Sequence, residues 1–329
     1  MVRETMSEEL QSIAASLQPK QEDVSFDLER ALSSIVGLRA QTPPDAFTAQ
    51  RLGTDRSGHG VLIREDGLVL TIGYLITEAE SVWLVDCHGQ ATPAHVVATD
   101  IETGFGLVQA MGPMSISPIE LGSSKALAVN DPVILAGFGG RQGSVCAKVI
   151  DKREFAGYWE YVLDEAIFTA PPHPFWGGSG LIGPDGTLRG VGSLFIQQAL
   201  GEDDTVDGNM VVPIDLLKPI LDDLLTYGRR NKPPRPWVGM LTAESEGHLI
   251  VGGLFDGGPA DQAGIQVGDL IADVAGQPVR GLPNLFRRIW SLGEAGVAVP
   301  LTLVRDGREM HVDIASACRS DFYKKPKMH

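Results

Sequence analysis

The chain is 329 residues long, 43% hydrophobic and 21% charged, enough to bury sizeable cores and, at roughly 150 residues per domain, to form two units. Its 42 acidic residues against 27 basic ones give a formal net charge of −15, which opposes binding to nucleic acid or an anionic membrane. Three cysteines, Cys87, Cys146 and Cys318, lie far apart without CxxC spacing; they indicate neither a disulfide framework nor a zinc site and read as packing residues.

Residues 1–23 carry Glu4, Glu8 and Glu9 and read as a flexible or helical arm. No run there is apolar enough for a signal-peptide core, and no later window approaches the ~18 apolar residues of a membrane span; a cytoplasmic chain is expected. From Phe26 the pattern changes. Leu28, Leu32, Ile35, Val36 and Leu38 lead a helical turn into a strand, which Pro43-Pro44 ends. Short alternating bursts follow at 61–63, 68–71, 81–85 and 94–98, separated by the turns Glu65-Asp66-Gly67 and His88-Gly89. Even spacing of this kind predicts a β-barrel or sandwich. A second series runs through 119–122, 132–137, 145–150, 161–169, 181–182, 190–196 and 209–213. One helix is predicted over 214–227, where Leu216, Leu217, Ile220, Leu221 and Leu224 have helical spacing. It closes a first domain, 24–228, and the Pro-rich stretch 229–236 is a stiff linker.

A second domain, 237–316, opens with Trp237-Val238-Gly239-Met240 and continues through a strand at 249–255 and the run Gly258-Pro259-Ala260-Asp261-Gln262-Ala263-Gly264-Ile265-Gln266-Val267-Gly268-Asp269-Leu270-Ile271. A helix is predicted over 282–292, then strands at 299–305 and 309–315 joined by Asp306-Gly307, and a tail at 317–329. That glycine-rich run, with Val274-Ala275-Gly276-Gln277-Pro278-Val279 behind it, resembles the PDZ domain of HtrA-type proteases. The first domain is similar to the chymotrypsin-fold domain of the same family. Gly58-His59-Gly60-Val61-Leu62-Ile63, Asp66-Gly67-Leu68-Val69-Leu70-Thr71, Leu121-Gly122-Ser123-Ser124 and Gly183-Pro184-Asp185-Gly186 carry that likeness. The resemblance implies a mainly β chain, a trypsin-like double β-barrel followed by a C-terminal PDZ domain. It implies a possible homo-oligomer, since relatives of this architecture commonly form trimers; no cofactor is expected, and no metal, because His59, His88, His95, His248, His311 and His329 show no ligand spacing with each other or with carboxylates.

The chemistry of the family does not carry over. Its catalytic histidine follows a strand ending in Leu-Thr, and here Thr71-Ile72-Gly73-Tyr74-Leu75 puts Tyr74 at that position. A phenol of pKa about 10 is a poor general base near neutral pH. The orienting aspartate is replaced by Gly104 in Thr103-Gly104-Phe105-Gly106-Leu107, with Asp100 four residues upstream. For the nucleophile, counting back from Asp185-Gly186 selects Gly177, whereas counting forward from Thr169 selects Gly178; neither count selects Ser179. The resemblance therefore points to a pseudoprotease, a polypeptide-binding adaptor or scaffold. The alternative is an HtrA-like serine endopeptidase using the displaced Ser179. The glycines around Gly177 are expected to keep N–H groups that form an anion-accepting hollow.

The expected partner is a polypeptide with a free C-terminus or an extended segment. PDZ domains add a peptide to a sheet edge and capture its carboxylate on backbone N–H groups. By resemblance that loop is Trp237, Val238, Gly239 and Met240, the helix residues Phe286 and Ile289 line the groove, and Arg235 either adds charge or sits in solvent. His173, between Pro172 and Pro174, reads as a packing or capping histidine rather than a relocated base. The aromatic stretch Phe155, Tyr158, Trp159 and Tyr161, with Phe168, Phe175 and Trp176, is read as filling the vacated cleft, with a recognition surface as the competing view. Gly137-Phe138-Gly139-Gly140-Arg141-Gln142-Gly143 opens no helix and so does not read as a phosphate loop.

Overall fold

Alternation of apolar and polar residues with period two becomes, in the computed structural model, two closed barrels and a separate open sheet. The structure describes residues 13–197, 199, 206–245 and 247–324; residues 1–12 of the expected arm at 1–23 and residues 325–329 of the expected tail at 317–329 lie outside the described residues, while the described part of the arm carries 3-10 turns at Ala15–Leu17 and Gln21–Asp23 and that of the tail one at Arg319–Phe322. The chain divides into two compact units. The first comprises Met1–Arg153, Glu165–Arg230 and Lys324–His329, the second Glu154–Asp164 and Asn231–Tyr323. The second unit therefore includes a segment drawn from the middle of the first domain.

In the first unit, β1 (Ile35–Gln41), β2 (Asp55–Leu62), β3 (Leu68–Ile72), β4 (Ser81–Val85), β5 (Ala91–Thr99) and β6 (Phe105–Ala110) close in the order β1-β2-β3-β6-β5-β4. A second barrel is built from β7 (Pro132–Ala136), β8 (Ser144–Gly157), β9 (Tyr161–Ala170), β10 (Gly180–Ile182), β11 (Leu188–Ile196) and β12 (Gly208–Pro213), in the order β10-β11-β12-β9-β8-β7. Closure leaves no free sheet edge in either barrel. Inward residues such as Leu38, Leu70, Leu84 and Phe105 fill the first, and Leu135, Val149, Ile167 and Val211 fill the second.

Three predicted features differ. The helix expected over 214–227 is a 3-10 turn, Ile214–Leu216, followed by an α-helix, Leu221–Tyr227, because Pro219 lies between them and a proline donates no N–H to a helix. Residues 119–122 form no strand and contribute only a bridge between Leu121 and Leu188. Conversely β6 occupies the stretch read only as the aspartate motif. Cys87 is exposed on the β4–β5 turn rather than packed.

In the second unit, β13 (Met240–Ser245), β14 (His248–Leu254), β15 (Leu270–Val274), β17 (Ala298–Arg305) and β18 (Arg308–Ala315) form the sheet, with β16 (Gln277–Pro278) beside β15. The helix Leu282–Ser291 buries Leu285, Phe286 and Ile289 in the core formed with Val238, Met240 and Val251. Asp269 fixes the glycine-rich run. Its carboxylate accepts the Gln266 N–H at 2.9 Å and two bonds from Arg305 at 2.6 and 2.7 Å, a bidentate pair of the strong, charge-assisted kind.

Candidate functional site: the triad positions and the carboxylate loop

The three positions read as a lost triad meet in space. Tyr74 sits on the short helical turn Gly73–Ile76 after β3, and the Gly73 N–H donates to the Gly104 carbonyl at 2.7 Å. Arg56 holds the far end of that turn, its Nη1 donating to the Tyr74 and Thr77 carbonyls at 3.0 and 2.8 Å. The Tyr74 hydroxyl donates to the Ser193 carbonyl at 2.9 Å, and burial pushes the phenol well above its ordinary value. A β-carbon added at Gly177 would stand 2.8 Å from the Tyr74 hydroxyl, so the phenol fills the space a serine side chain would take there. Gly178 cannot carry one at all: it has φ +80°, and its β-carbon would fall 1.9 Å from the His59 carbonyl oxygen.

Ser179 is 0% exposed. Its hydroxyl donates to the Trp176 carbonyl at 2.8 Å. Of the N–H groups around the expected anion hollow, three are engaged within the protein: Gly178 with the Gly192 carbonyl at 2.9 Å, Ser179 with the Trp176 carbonyl at 3.1 Å, and Phe175 with His173 Nδ1 at 2.9 Å. His173 packs as predicted. Its Nδ1 accepts from Phe175, so Nε2 carries the proton and donates to the Gly143 carbonyl at 2.8 Å.

His59 has a role the sequence did not reveal. Its Nδ1 accepts the Phe138 N–H at 3.0 Å and its Nε2 donates to the Phe175 carbonyl at 2.9 Å, tying the glycine-rich loop after β7 to the loop around Gly177. Burial, with the nearby His173 ring, lowers its pKa to about 3. Asp100 is engaged structurally, accepting two bonds from Arg230, at 2.8 and 2.6 Å, and the Thr103 N–H at 2.9 Å. Near Gly177, Trp176 packs on Phe195 with ring centroids 5.6 Å apart. Phe155, Tyr158, Trp159 and Tyr161, read as filling the cleft, belong to the second unit, where Trp159 stacks on Tyr161 at 5.6 Å and Tyr158 meets Trp159 edge-on at 4.9 Å.

The predicted peptide loop is a cradle of backbone donors. Gly239 has φ +77°, which turns the N–H groups of Val238, Gly239 and Met240 toward one point, the geometry of an anion-binding nest. They donate, at 3.2, 2.8 and 3.2 Å, to the side-chain carboxylate of Glu160. Trp237 is held behind the loop, its backbone paired with Ala317 in both directions at 3.0 Å and its ring packed on Phe255. Phe286 and Ile289 lie in the core beneath, and Arg235 stacks over the Trp290 ring at 4.4 Å rather than adding charge to the cradle. Burial lifts the Glu160 carboxyl to about 7, against the pull of the three N–H donors and the positive Arg319. Sequence reading missed Glu160 because nothing local connects it to a loop almost eighty residues later; its one visible sign is a charge set between Trp159 and Tyr161.

Residues 58–191 match the trypsin-like peptidase domain family and residues 253–305 the PDZ domain family. Among curated proteins, the chain is 26% identical over 282 residues to a probable periplasmic serine endoprotease, DegP-like, of Pseudomonas putida W619, covering 80% of this chain and 56% of that protein. It is 26% identical to the serine protease PepD of Mycobacterium tuberculosis, covering 74% and 57%, and 25% identical to the serine protease Do-like HtrA of Bacillus subtilis, covering 88% and 70%. The chain thus spans little more than half the length of the first two. Solved structures similar to it include the HtrA-type protease AlgW with a tripeptide, at 16% identity and a TM-score of 0.52, covering 89% of this chain and 96% of that one. The serine endoprotease from Yersinia pestis is similar at 20% identity with a TM-score of 0.51, covering 89% and 98%. At such identities the structural likeness speaks for the fold.

Proposed function

We infer, for a chain that belongs to the HtrA family by its trypsin-like peptidase domain and its PDZ domain, that it binds polypeptide without cutting it. The observation that carries this reading is the pairing of Tyr74 with Gly177. The phenol occupies the side-chain space at the position expected for the nucleophile, while the nearest serine, Ser179, is buried and donates its hydroxyl to a backbone carbonyl. Loss of nucleophile and base together costs on the order of a millionfold in turnover in enzymes of this kind. The PDZ domain supplies the binding. Its nest of N–H groups suits the carboxylate of a free C-terminus, and β13 offers backbone for an added strand.

A second reading is favoured by the names of the curated relatives, one a probable serine endoprotease and one a serine protease: hydrolysis by Ser179, for which its hydroxyl must leave Trp176 and reach a base. A fluorophosphonate probe separates the two. The binding reading predicts no labelling above that of Ser179→Ala, whereas stoichiometric labelling lost in that variant overturns it. Peptide capture is read by titrating pools of random heptapeptides; equal binding of amidated and free-acid pools removes carboxylate capture.

A further inference from the structure

We propose that the PDZ groove is filled from within the chain: the tip of the β8–β9 hairpin is its resident ligand, with the Glu160 side-chain carboxylate in the place of a captured C-terminus. An incoming peptide must therefore displace the hairpin. The inference rests on the peptide-capture reading of the loop 237–240.

Four observations meet at this hairpin. The carboxylate takes all three N–H donors of the cradle, the donors on which a terminal carboxylate would depend. Two residues earlier, the Tyr158 carbonyl accepts the Thr242 N–H at 2.9 Å. In an extended strand residues two apart point their backbone groups the same way, so this is the spacing at which a peptide added beside β13 would make its next main-chain bond. Glu160 also holds φ +62°, an uncommon conformation for a residue with a side chain, which persists where its surroundings compel it. Here it turns the carboxylate inward from a tight turn, giving a hairpin the reach of a chain end. The tip is further held by other residues of the second unit, to which it belongs. The Trp159 carbonyl accepts from Arg319 Nη1 at 3.2 Å, Val162 enters the core with Val238 and Met240, and Arg287 pairs with Glu154 and with Asp164. Of the charged groups, Arg319 is the one that acts on Glu160 through space.

A tethered ligand competes at a high effective concentration, on the order of millimolar for short connections. External peptides bind in proportion to the fraction of grooves that are open, so occupancy weakens their apparent affinity without altering the groove itself. The segment that does this is the aromatic-rich stretch around Trp159.

Hydrogen exchange of the full chain at pH 7.5 tests the idea without a known ligand. In Glu160→Ala, the amides of Val238, Gly239, Met240 and Thr242 should exchange at least tenfold faster than in wild type, while Leu301 and Leu303 in β17 keep their protection and report an intact fold. Unchanged exchange at the four amides in a folded variant overturns the proposal. If that substitution also loosens β17, the wild type answers. A saturating free-acid heptapeptide pool should raise exchange at residues 159–161 while the groove amides stay protected, and binding that leaves 159–161 unchanged overturns the proposal. A variant that deprotects the four amides yet binds neither pool supports occupancy and removes peptide capture instead.

Discussion

Adding a single methyl group at Gly177 probes the space over the position expected for the nucleophile. The β-carbon of Gly177→Ala would stand 2.8 Å from the Tyr74 hydroxyl, and the next nearest atoms are Tyr74 Cζ at 3.7 Å and Leu75 Cδ1 at 3.8 Å. The hydroxyl cannot swing aside cheaply, because it is bonded to the Ser193 carbonyl and the ring is rigid. Overpacking of this kind costs ~1–3 kcal/mol, offset in part by the ~0.4–1 kcal/mol an alanine gains over glycine through the unfolded chain. A net loss of ~1–2 kcal/mol is expected. Tyr74→Phe loses one hydrogen bond, ~1 kcal/mol. The double variant removes the clashing oxygen and leaves the new methyl in ordinary contact at 3.7 Å, so its total loss should not exceed ~1 kcal/mol by the same bookkeeping. The coupling of ~1–2 kcal/mol is read from urea midpoints of the four proteins at constant m. Losses that add to within ~0.5 kcal/mol would refute the claim that the phenol fills this space.

Docking of the β8–β9 hairpin should depend on pH. The Glu160 carboxyl titrates near 7 when buried, against an ordinary value of 4.5, so the docked state holds a proton that the released state gives up between those values. Docking is then strongest below about pH 4.5, weakens as pH rises to about 7 and is flat above. Groove-amide opening, measured by hydrogen exchange and corrected for intrinsic rate, should follow that course, with Arg319 the charge that limits the loss. Arg230→Ala strands the Asp100 carboxylate, which has a side-chain exposure of 6%, and should cost about 3 kcal/mol; Asp100→Asn in the same background should recover part of it, both read by thermal unfolding.

The strands were legible because alternation repeats one local rule, while closure into barrels rather than a sandwich came only from the family resemblance; β4 at 81–85 and the final hairpin around Asp306-Gly307 fall where alternation and turn chemistry put them. The helix expected over 214–227 is interrupted because Pro219 outweighs the apolar spacing on either side of it. The triad positions were legible only as a register. Alignment with the motifs of the family it resembles brought Tyr74, Gly104 and Gly177 to attention, but that a phenol oxygen fills the place of a side chain at Gly177 is a fact of tertiary packing. The buried pairing of His59 with Phe138 and Phe175 joins residues far apart in sequence, and so does the bond of Glu160 to the loop at 238–240. Neither leaves a periodic trace. Aromatic density around Trp159 likewise gave no sign that Phe155, Tyr158, Trp159 and Tyr161 belong to the second unit: it says that a surface is covered, not by which residues.

Turnover of an unfolded polypeptide such as casein, compared between wild-type protein and Ser179→Ala, tests the central claim most directly. The account predicts that the two are indistinguishable, both at the level of buffer. Hydrolysis by the wild type that falls a thousandfold or more in Ser179→Ala, the order of loss expected on removing a working nucleophile, would contradict it.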